Sequence, residues 1–392
     1  CCWLMLLLRT GRSAAFLFHN HQRQQLATPR QRQFFAAMSS TTSSSNAPST
    51  TTSNADIKPI VATIVTTNML KECGERLRNG ELVAFPTETV YGLGCHALDE
   101  DAIHKVFAAK ERPLTDPLIV HVCAFDDASP LWQNSQDPAL QCLTQTFWPG
   151  PLTLVAEAAP HVPPLLMAHT GYVACRSPQH KIAQQLLVES KVPIAAPSAN
   201  KFGHVSPTRA QHVFDDLKYE DVWIVETNNN DDDTEEIACN VGVESTVAKL
   251  TTTEEEGGVI TVLRQGAISA QQIEECLRQA GVSGYTVQKQ TKRATPDHVA
   301  NVAPGQTIRH YSPNIPSFLV TTECADTELS QGDMDLLKAA VIIDFGGRLA
   351  SWESHALAYR DLSAAGKSQE AAQSVFETLR WAEQVQGGAQ VF

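Results

Sequence analysis

Four polar side chains stand at the ends of apolar runs in one stretch, Leu82–Val122: Thr87, Lys110, Arg112 and His121. A hydroxyl, two cations and a histidine gathered this way suit the binding of an anionic ligand. In open α/β sheets, ligands bind at the carboxyl ends of the strands. Each residue also has a plainer reading. Lys110 and Arg112 equally serve to favour the negative end of a helix dipole. His121 on an apolar strand equally serves as a satisfied core residue.

Further candidates lie down the chain. Arg176 closes an apolar run, where its planar fork can face a carboxylate or a neighbouring acid. VPIAAPSAN (192–200) breaks at Pro197 and presents Ser198 and Asn200, with Ser206 beyond. Small polar residues between a strand and a helix suit phosphate, and they are also ordinary turn formers. GVESTVAKL (242–250) presents Ser245 and Thr246, and Arg264 ends the next apolar run. Arg309, His310 and Tyr311 fall in a segment bounded by prolines.

These residues need elements to position them. Leu82–Phe85 reads as a strand that Pro86 stops. Thr87–Thr89 are expected to be exposed, and Tyr91–Gly94 to form a flexible corner. Asp99 is placed to cap a helix carrying Ile103, Val106 and Phe107, and Pro117–Val122 reads as a second strand. Strands are expected over 60–65, 152–156, 172–176, 259–263, 317–320 and 339–345. Helices are expected over 69–78, 139–147, from Ser269 to about Ala280, and 369–381. Strand–helix alternation predicts an α/β protein with a second, smaller α/β domain. The expected division is a disordered or targeting segment (1–55), a main domain (56–285), a polar linker (286–316) and a small domain (317–392). After the last expected helix the small sheet looks short of a strand.

The 392 residues are 43% hydrophobic and 19% charged, which fits a globular protein. The net charge of −13 weighs against general nucleic-acid binding, so any anion must be met by a local basic pocket. Ten cysteines without a CxxC pair argue for free thiols rather than zinc or disulfides. No apolar run reaches the length of a membrane span. The acidic run at 228–236 lacks the spacing and turn glycine of a calcium loop and reads as a solvated loop. Before Asp56 there is no acid, while Arg9, Arg12, Arg23, Arg30 and Arg32 precede a tract from 39 to 53 in which twelve of fifteen residues are Ser or Thr. That pattern suggests an organellar transit segment, with Met38 as an alternative start for a cytoplasmic form.

PTETVYGLG, then KERP, then PLIVHV, together resemble the YrdC-like family of threonylcarbamoyl-AMP synthases. The resemblance covers about 60–320 well. It implies a twisted open sheet with a concave basic face, and a smaller Rossmann-like C-terminal domain. It implies that L-threonine, bicarbonate and ATP give threonylcarbamoyl-AMP and pyrophosphate, and that the product passes to a tRNA-modifying threonylcarbamoyl transferase complex. It assigns Thr87, His121, Arg176 and Ser245 to threonine. It assigns Lys110, Arg112, Ser198, Asn200, Ser206 and Arg264 to ATP, and His310 and Tyr311 to a linker that folds over the site. Magnesium is expected to arrive on the triphosphate, with no metal held by the protein alone. No Walker loop or GxGxxG is present, and the chemistry needs no protein nucleophile. An RNA-binding module and a carbamoyl-transfer accessory module are the rival readings. The charge disfavours the first, and the absence of zinc-finger cysteine spacing disfavours the second.

Overall fold

Alternation of side chains on Leu82–Phe85 sets the layers of the molecule. Leu82 and Ala84 face one apolar cluster, and Val83 and Phe85 face another. A strand buried on both faces in this way sits inside a sheet with helices on either side. The computed structural model describes residues 59–227, 239–252, 257–290, 299–304, 311–320 and 329–392.

In chain order the strands of the large domain are β1 (Thr63–Thr66), β2 (Leu82–Phe85), β3 (Gly92–His96), β4 (Ile119–His121), β5 (Leu152–Glu157) and β6 (Tyr172–Arg176). They continue with β7 (Ile194–Ala195), β8 (Val222–Glu226), β9 (Thr246–Thr252), β10 (Gly258–Arg264) and β11 (Tyr285–Lys289). Among the described residues they form one 11-stranded mixed sheet, ordered β1-β8-β2-β3-β7-β4-β6-β5-β9-β10-β11. Helices α1 (Leu70–Arg78), α2 (Glu100–Lys110), α3 (Phe125–Ala128), α4 (Pro138–Phe147), α5 (Lys181–Ser190), α6 (Ala210–Leu217) and α7 (Ala270–Gln279) flank it. Leu77 of α1 and Leu186 of α5 pack on one face, and Ile103 of α2 and Leu140 of α4 on the other.

Local signals explain several of these boundaries. Asp99 accepts from the N–H groups of Asp101 and Ala102 and starts α2. Ser269 and Gln272 form a reciprocal cap on α7. At the other end of α2, Glu111 takes a left-handed conformation (φ 56°), and the Arg112 N–H bonds back to Phe107.

The small domain holds α8 (Gln331–Leu337), β12 (Ala340–Asp344), β13 (Ala358–Asp361), α9 (Ser368–Gln384) and β14 (Gln390–Val391). Its sheet is ordered β13-β12-β14 with both pairings parallel, which is the Rossmann-like arrangement. Val90, Val205 and Val243 of the large domain share an apolar cluster with Leu362, Val375 and Phe376 of the small one.

Several expectations are corrected. Thr87, Glu88 and Thr89 are buried, at 2%, 2% and 1% exposure, because their polar atoms are bonded inside the protein. Tyr91–Gly94 is no flexible corner. Gly92–His96 is strand β3, and a Cβ on Gly94 would lie 2.8 Å from Ile194 and 2.9 Å from Phe85. The first strand starts at Thr63 rather than 60. The large sheet runs on to Lys289, past the expected boundary at 285. The segment 317–320 is not a strand; only Ser317 bridges, to Val391. The small sheet does receive a strand after α9, since β14 pairs with β12. The segment 1–55, the acidic run at 228–236 and His310 lie outside the described residues.

Candidate functional site

The strands deliver their polar ends to one cleft of about 630 Å³, part of it open to solvent. Ten of the residues expected from sequence line it: Thr87, Lys110, Arg112, His121, Arg176, Ser198, Asn200, Ser245, Arg264 and Tyr311. Ser206 stands behind it, fully buried, with its hydroxyl donating to Glu244 at 3.1 Å.

His121 and Arg176 are register neighbours on β4 and β6, so the sheet itself sets them side by side. Arg176 is 4% exposed and its fork is already held. One terminal nitrogen pairs with Glu88 at 2.6 Å, the other donates to Thr89 Oγ1 at 2.8 Å, and Nε donates to Gly150 O at 3.3 Å. Each terminal nitrogen carries a second N–H that can meet a ligand carboxylate. Burial and then Arg176 lower the His121 pKa to about 3, so this imidazole is neutral at physiological pH. Its ring is bonded to backbone carbonyls, with Nδ1 3.2 Å from Ile119 O, and the tautomer that protonates Nδ1 offers Nε2 as an acceptor.

Thr87 lines the cleft, but its hydroxyl is engaged within its own turn. It donates to Val90 O at 2.7 Å and accepts from the Thr89 and Val90 N–H groups, both at 3.2 Å. The Thr89 hydroxyl, 2.8 Å from Thr87 Oγ1, then donates to it, closing a relay from Arg176 through Thr89 to Thr87. Ser245 Oγ accepts from Arg264 at 3.0 Å and lies 2.8 Å from Thr153 Oγ1.

The remaining cations line the same cleft. Lys110, 1% exposed, donates from Nζ to the carbonyls of Ser198 (2.6 Å) and Asn200 (2.5 Å). Burial, with Arg112 adding to it, lowers its pKa well below the ordinary lysine value. Arg112 pairs with Asp116 at 2.9 Å and donates to Asp116 O and Pro117 O. Burial raises the Asp116 pKa against the pull of Arg112. Arg264 pairs with Glu244 and donates to Ser245 O; burial works to lower its pKa, but Glu244, Tyr311 and Asp116 together raise it. Tyr311 donates its hydroxyl to the same Glu244; burial and Glu244 raise its pKa well above the usual phenol value.

Sequence reasoning missed Glu88, Asp116 and Glu244, one internal carboxylate for each guanidinium. Only Asp116, four residues from Arg112 in sequence, left a local signal. The arrangement is a set of cations fixed before any ligand arrives. That preorganisation lets them act on developing charge without rearranging. Among the described residues no three His, Cys, Asp or Glu side chains group as a metal site.

Comparison with known proteins places this geometry. Residues 75–266 match the family model of Sua5, YciO and YrdC proteins, described as "Telomere recombination". Residues 268–392 match "Threonylcarbamoyl-AMP synthase, C-terminal domain". A threonylcarbamoyl-AMP synthase of Yersinia pestis is 34% identical over 144 residues, 36% of this chain and 75% of that protein. The chain belongs to the Sua5/YciO/YrdC family. Among other members of the family, the threonylcarbamoyl-AMP synthase of Pyrococcus abyssi is 40% identical over 238 residues, 61% of this chain and 64% of that protein. The one of Schizosaccharomyces pombe is 35% identical over 274 residues, 63% of this chain and 62% of that protein. The match thus spans just under two thirds of these curated relatives. The crystal structure of P. abyssi Sua5 complexed with L-threonine is similar to this fold with a TM-score of 0.65. It is 28% identical, covering 84% of this chain and 91% of that one.

Proposed function

We propose that this chain is a threonylcarbamoyl-AMP synthase, forming threonylcarbamoyl-AMP and pyrophosphate from L-threonine, bicarbonate and ATP. The observation that carries the reading is the cleft lined together by Arg176, neutral His121, Lys110, Arg112 and Arg264. The relatives that bear the synthase name, and the relative crystallised with L-threonine, support it.

In this reading the free N–H groups of Arg176 take the threonine carboxylate, and His121 Nε2 accepts from the threonine hydroxyl. The amine joins bicarbonate with loss of water, and the resulting carbamate oxygen attacks the α-phosphorus of ATP. Pyrophosphate leaves as the new P–O bond forms. Charge grows on phosphate oxygens, so Lys110, Arg112 and Arg264 act by position and charge, and no protein nucleophile takes part. Asn200 Oδ1 is buried without a hydrogen-bond partner, while its Nδ2 donates to two carbonyls. That one oxygen, in a site with no cluster of ligating side chains among the described residues, suits magnesium carried mainly by the triphosphate. The ion would neutralise phosphate charge.

The segment 303–316 serves as a cover that keeps water from the mixed anhydride, with Tyr311 placed at the cleft and His310 beside it in sequence. Tyr311→Ala is expected to raise ATP consumed per product formed; an unchanged ratio makes the segment a spacer. The product would pass to a tRNA-modifying transferase complex. Among the described residues no helix is long and apolar enough to cross a membrane. The acid-free, Arg-bearing first 55 residues support an organellar form beside a cytoplasmic one. A reporter fused after residue 55, with the native translation start in place, that stays cytoplasmic would sink the organellar reading.

The decisive assay measures pyrophosphate released from ATP. Release is expected to require both L-threonine and bicarbonate. Release without threonine, or none with all three, overturns the synthase reading.

A further inference from the structure

Three chain segments that reach the cleft rest on one helix of the small domain, α9. Gly242, two residues before Glu244, adopts φ +69°, and a Cβ there would meet Gln373 Cα at 2.3 Å. Gln373 also donates to Asn240 O at 2.6 Å. The Tyr311 ring lies 5.6 Å from that of Phe376. The third segment is the turn carrying Ser198, Asn200 and Ser206, and α9 grips it with charge.

Arg380, 4% exposed, donates to Val205 O and His212 O and forks onto Asp216 at 3.1 and 3.2 Å. One turn later Glu383 meets His204 Nε2 at 2.9 Å, while His204 Nδ1 lies 2.9 Å from Asp216. Asp216 also accepts from the Lys201 N–H at 3.2 Å. Asn200 Nδ2 donates to His204 O at 2.9 Å, and the Asn200 carbonyl accepts from Lys110. A continuous set of bonds therefore runs from Arg380 to the lysine at the cleft. Replacing buried ionic groups by apolar ones usually leaves stability unchanged or improved, so adhesion alone does not call for them here. What such groups add is a fixed geometry, and the geometry fixed is that of the turn.

We propose that Arg380 is a positioning residue for the nucleotide side of the cleft, holding the Ser198–Ser206 turn against Lys110 through Val205, Asp216 and His204. The small domain is then structurally part of the ATP half of the site. The inference rests on the synthase reading for the identity of the ligand, not for the contact itself.

The test uses the full chain with Arg380→Ala, Arg380→Lys and Glu383→Gln. Arg360→Ala is the control, since it removes only the guanidinium stacked 4.0 Å over Trp381. Hydrogen exchange of the peptide covering 198–206 is read beside calorimetric affinities for ATP and for L-threonine. In Arg380→Ala, exchange in that peptide is expected to quicken and ATP affinity to fall about tenfold, the scale of one lost charged hydrogen bond. Threonine affinity is expected to move less than about threefold, with Arg380→Lys and Glu383→Gln intermediate. Unchanged exchange at 198–206, an equal loss of both ligands, or the same effect from Arg360→Ala overturns the proposal. If Arg380→Ala fails to fold, the two milder variants decide by the same criteria. Wild-type protein that binds neither ligand refutes the synthase reading, and the exchange result alone then decides whether Arg380 holds the turn.

Discussion

The two sides of the cleft are built differently. On the His121–Arg176 side, the side chains project from paired strands β4 and β6, and their partners Glu88, Thr89 and Gly150 also belong to the large domain. On the other side, Ser198–Ser206, Glu244 and Tyr311 sit on loops that lean on α9. A strand end is held by the sheet ladder, whereas a loop takes its position from whatever it docks against. One half of the site is thus fixed chiefly by the sheet, with Val90 of its Thr87–Val90 turn also packed on the small domain, and the other by contact between domains. The first should respond to changes at its own residues, and the second also to changes far from the ligand.

The largest expected effect tests the sheet-held side. Arg176→Ala removes the guanidinium and leaves Glu88 buried without its partner. Breaking a buried pair costs about 3–5 kcal/mol of stability. The threonine KM should rise roughly ten- to a hundredfold while the ATP KM moves little, the worth of about 1.5–3 kcal/mol for a charged hydrogen-bonded contact. Steady-state kinetics with each substrate varied in turn checks this. An unchanged threonine KM rejects the assignment of Arg176.

Next comes the boundary between the halves. Lys110→Met keeps the stem and removes the ammonium that ties Ser198 and Asn200 to α2. ATP affinity should fall by about tenfold, and threonine affinity by less. Equal losses would show that the two sides do not act separately.

The smallest effect is a pH dependence, and it contrasts two histidines. Burial works to lower the His204 pKa, but Asp216 and Glu383 outweigh it and raise the value to about 9. Arg380, facing His204 from α9, opposes them in part. Because the folded value lies above the unfolded 6.5, the stability His204 contributes is fully present below about pH 6.5 and is lost as pH rises through about 9. His121 has the opposite sign. Its folded value near 3 lies below 6.5, so stability falls as pH drops below 6.5. Urea unfolding at pH 6, 7.5 and 9.5 should show the alkaline loss in wild type and a flatter profile in His204→Gln. Identical alkaline slopes would remove His204 as its source.

Most cleft residues were legible because each interrupts a local pattern: a cation at a helix end, a histidine on an apolar strand, small polar residues after a short strand. Caps at Asp99 and Ser269 were legible for the same reason. What lay hidden depended on distant partners. Glu88 is buried because Arg176, 88 positions on, neutralises it, and nothing near PTET announces that. Glu244 sits in a motif read for its serine, yet it is the acid shared by Arg264 and Tyr311. Gly92 and Gly94 look like a hinge locally, and only Ala196 beside Gly92 and Ile194 and Phe85 beside Gly94 in the folded sheet show why side chains are missing there. Gln390–Val391 is too short to read as a strand until β12 supplies its ladder.

Glu244 gives the cleft the character of an ion exchanger whose counter-ion is tethered to the resin. Any anion reaching Arg264 meets a guanidinium whose charge is already partly neutralised by a carboxylate that cannot diffuse away, so the observed affinity is a difference between an attraction and a repulsion. Chloride or acetate, with one charge and few contacts, gains little by that exchange. A polyphosphate that also engages Lys110 and Arg112 gains at several points at once. The neutralising charge stays on the protein, so binding releases few ions to the bulk and should depend only weakly on salt. The internal acid is therefore a threshold that favours multivalent anions over the small ones that outnumber them in the cell.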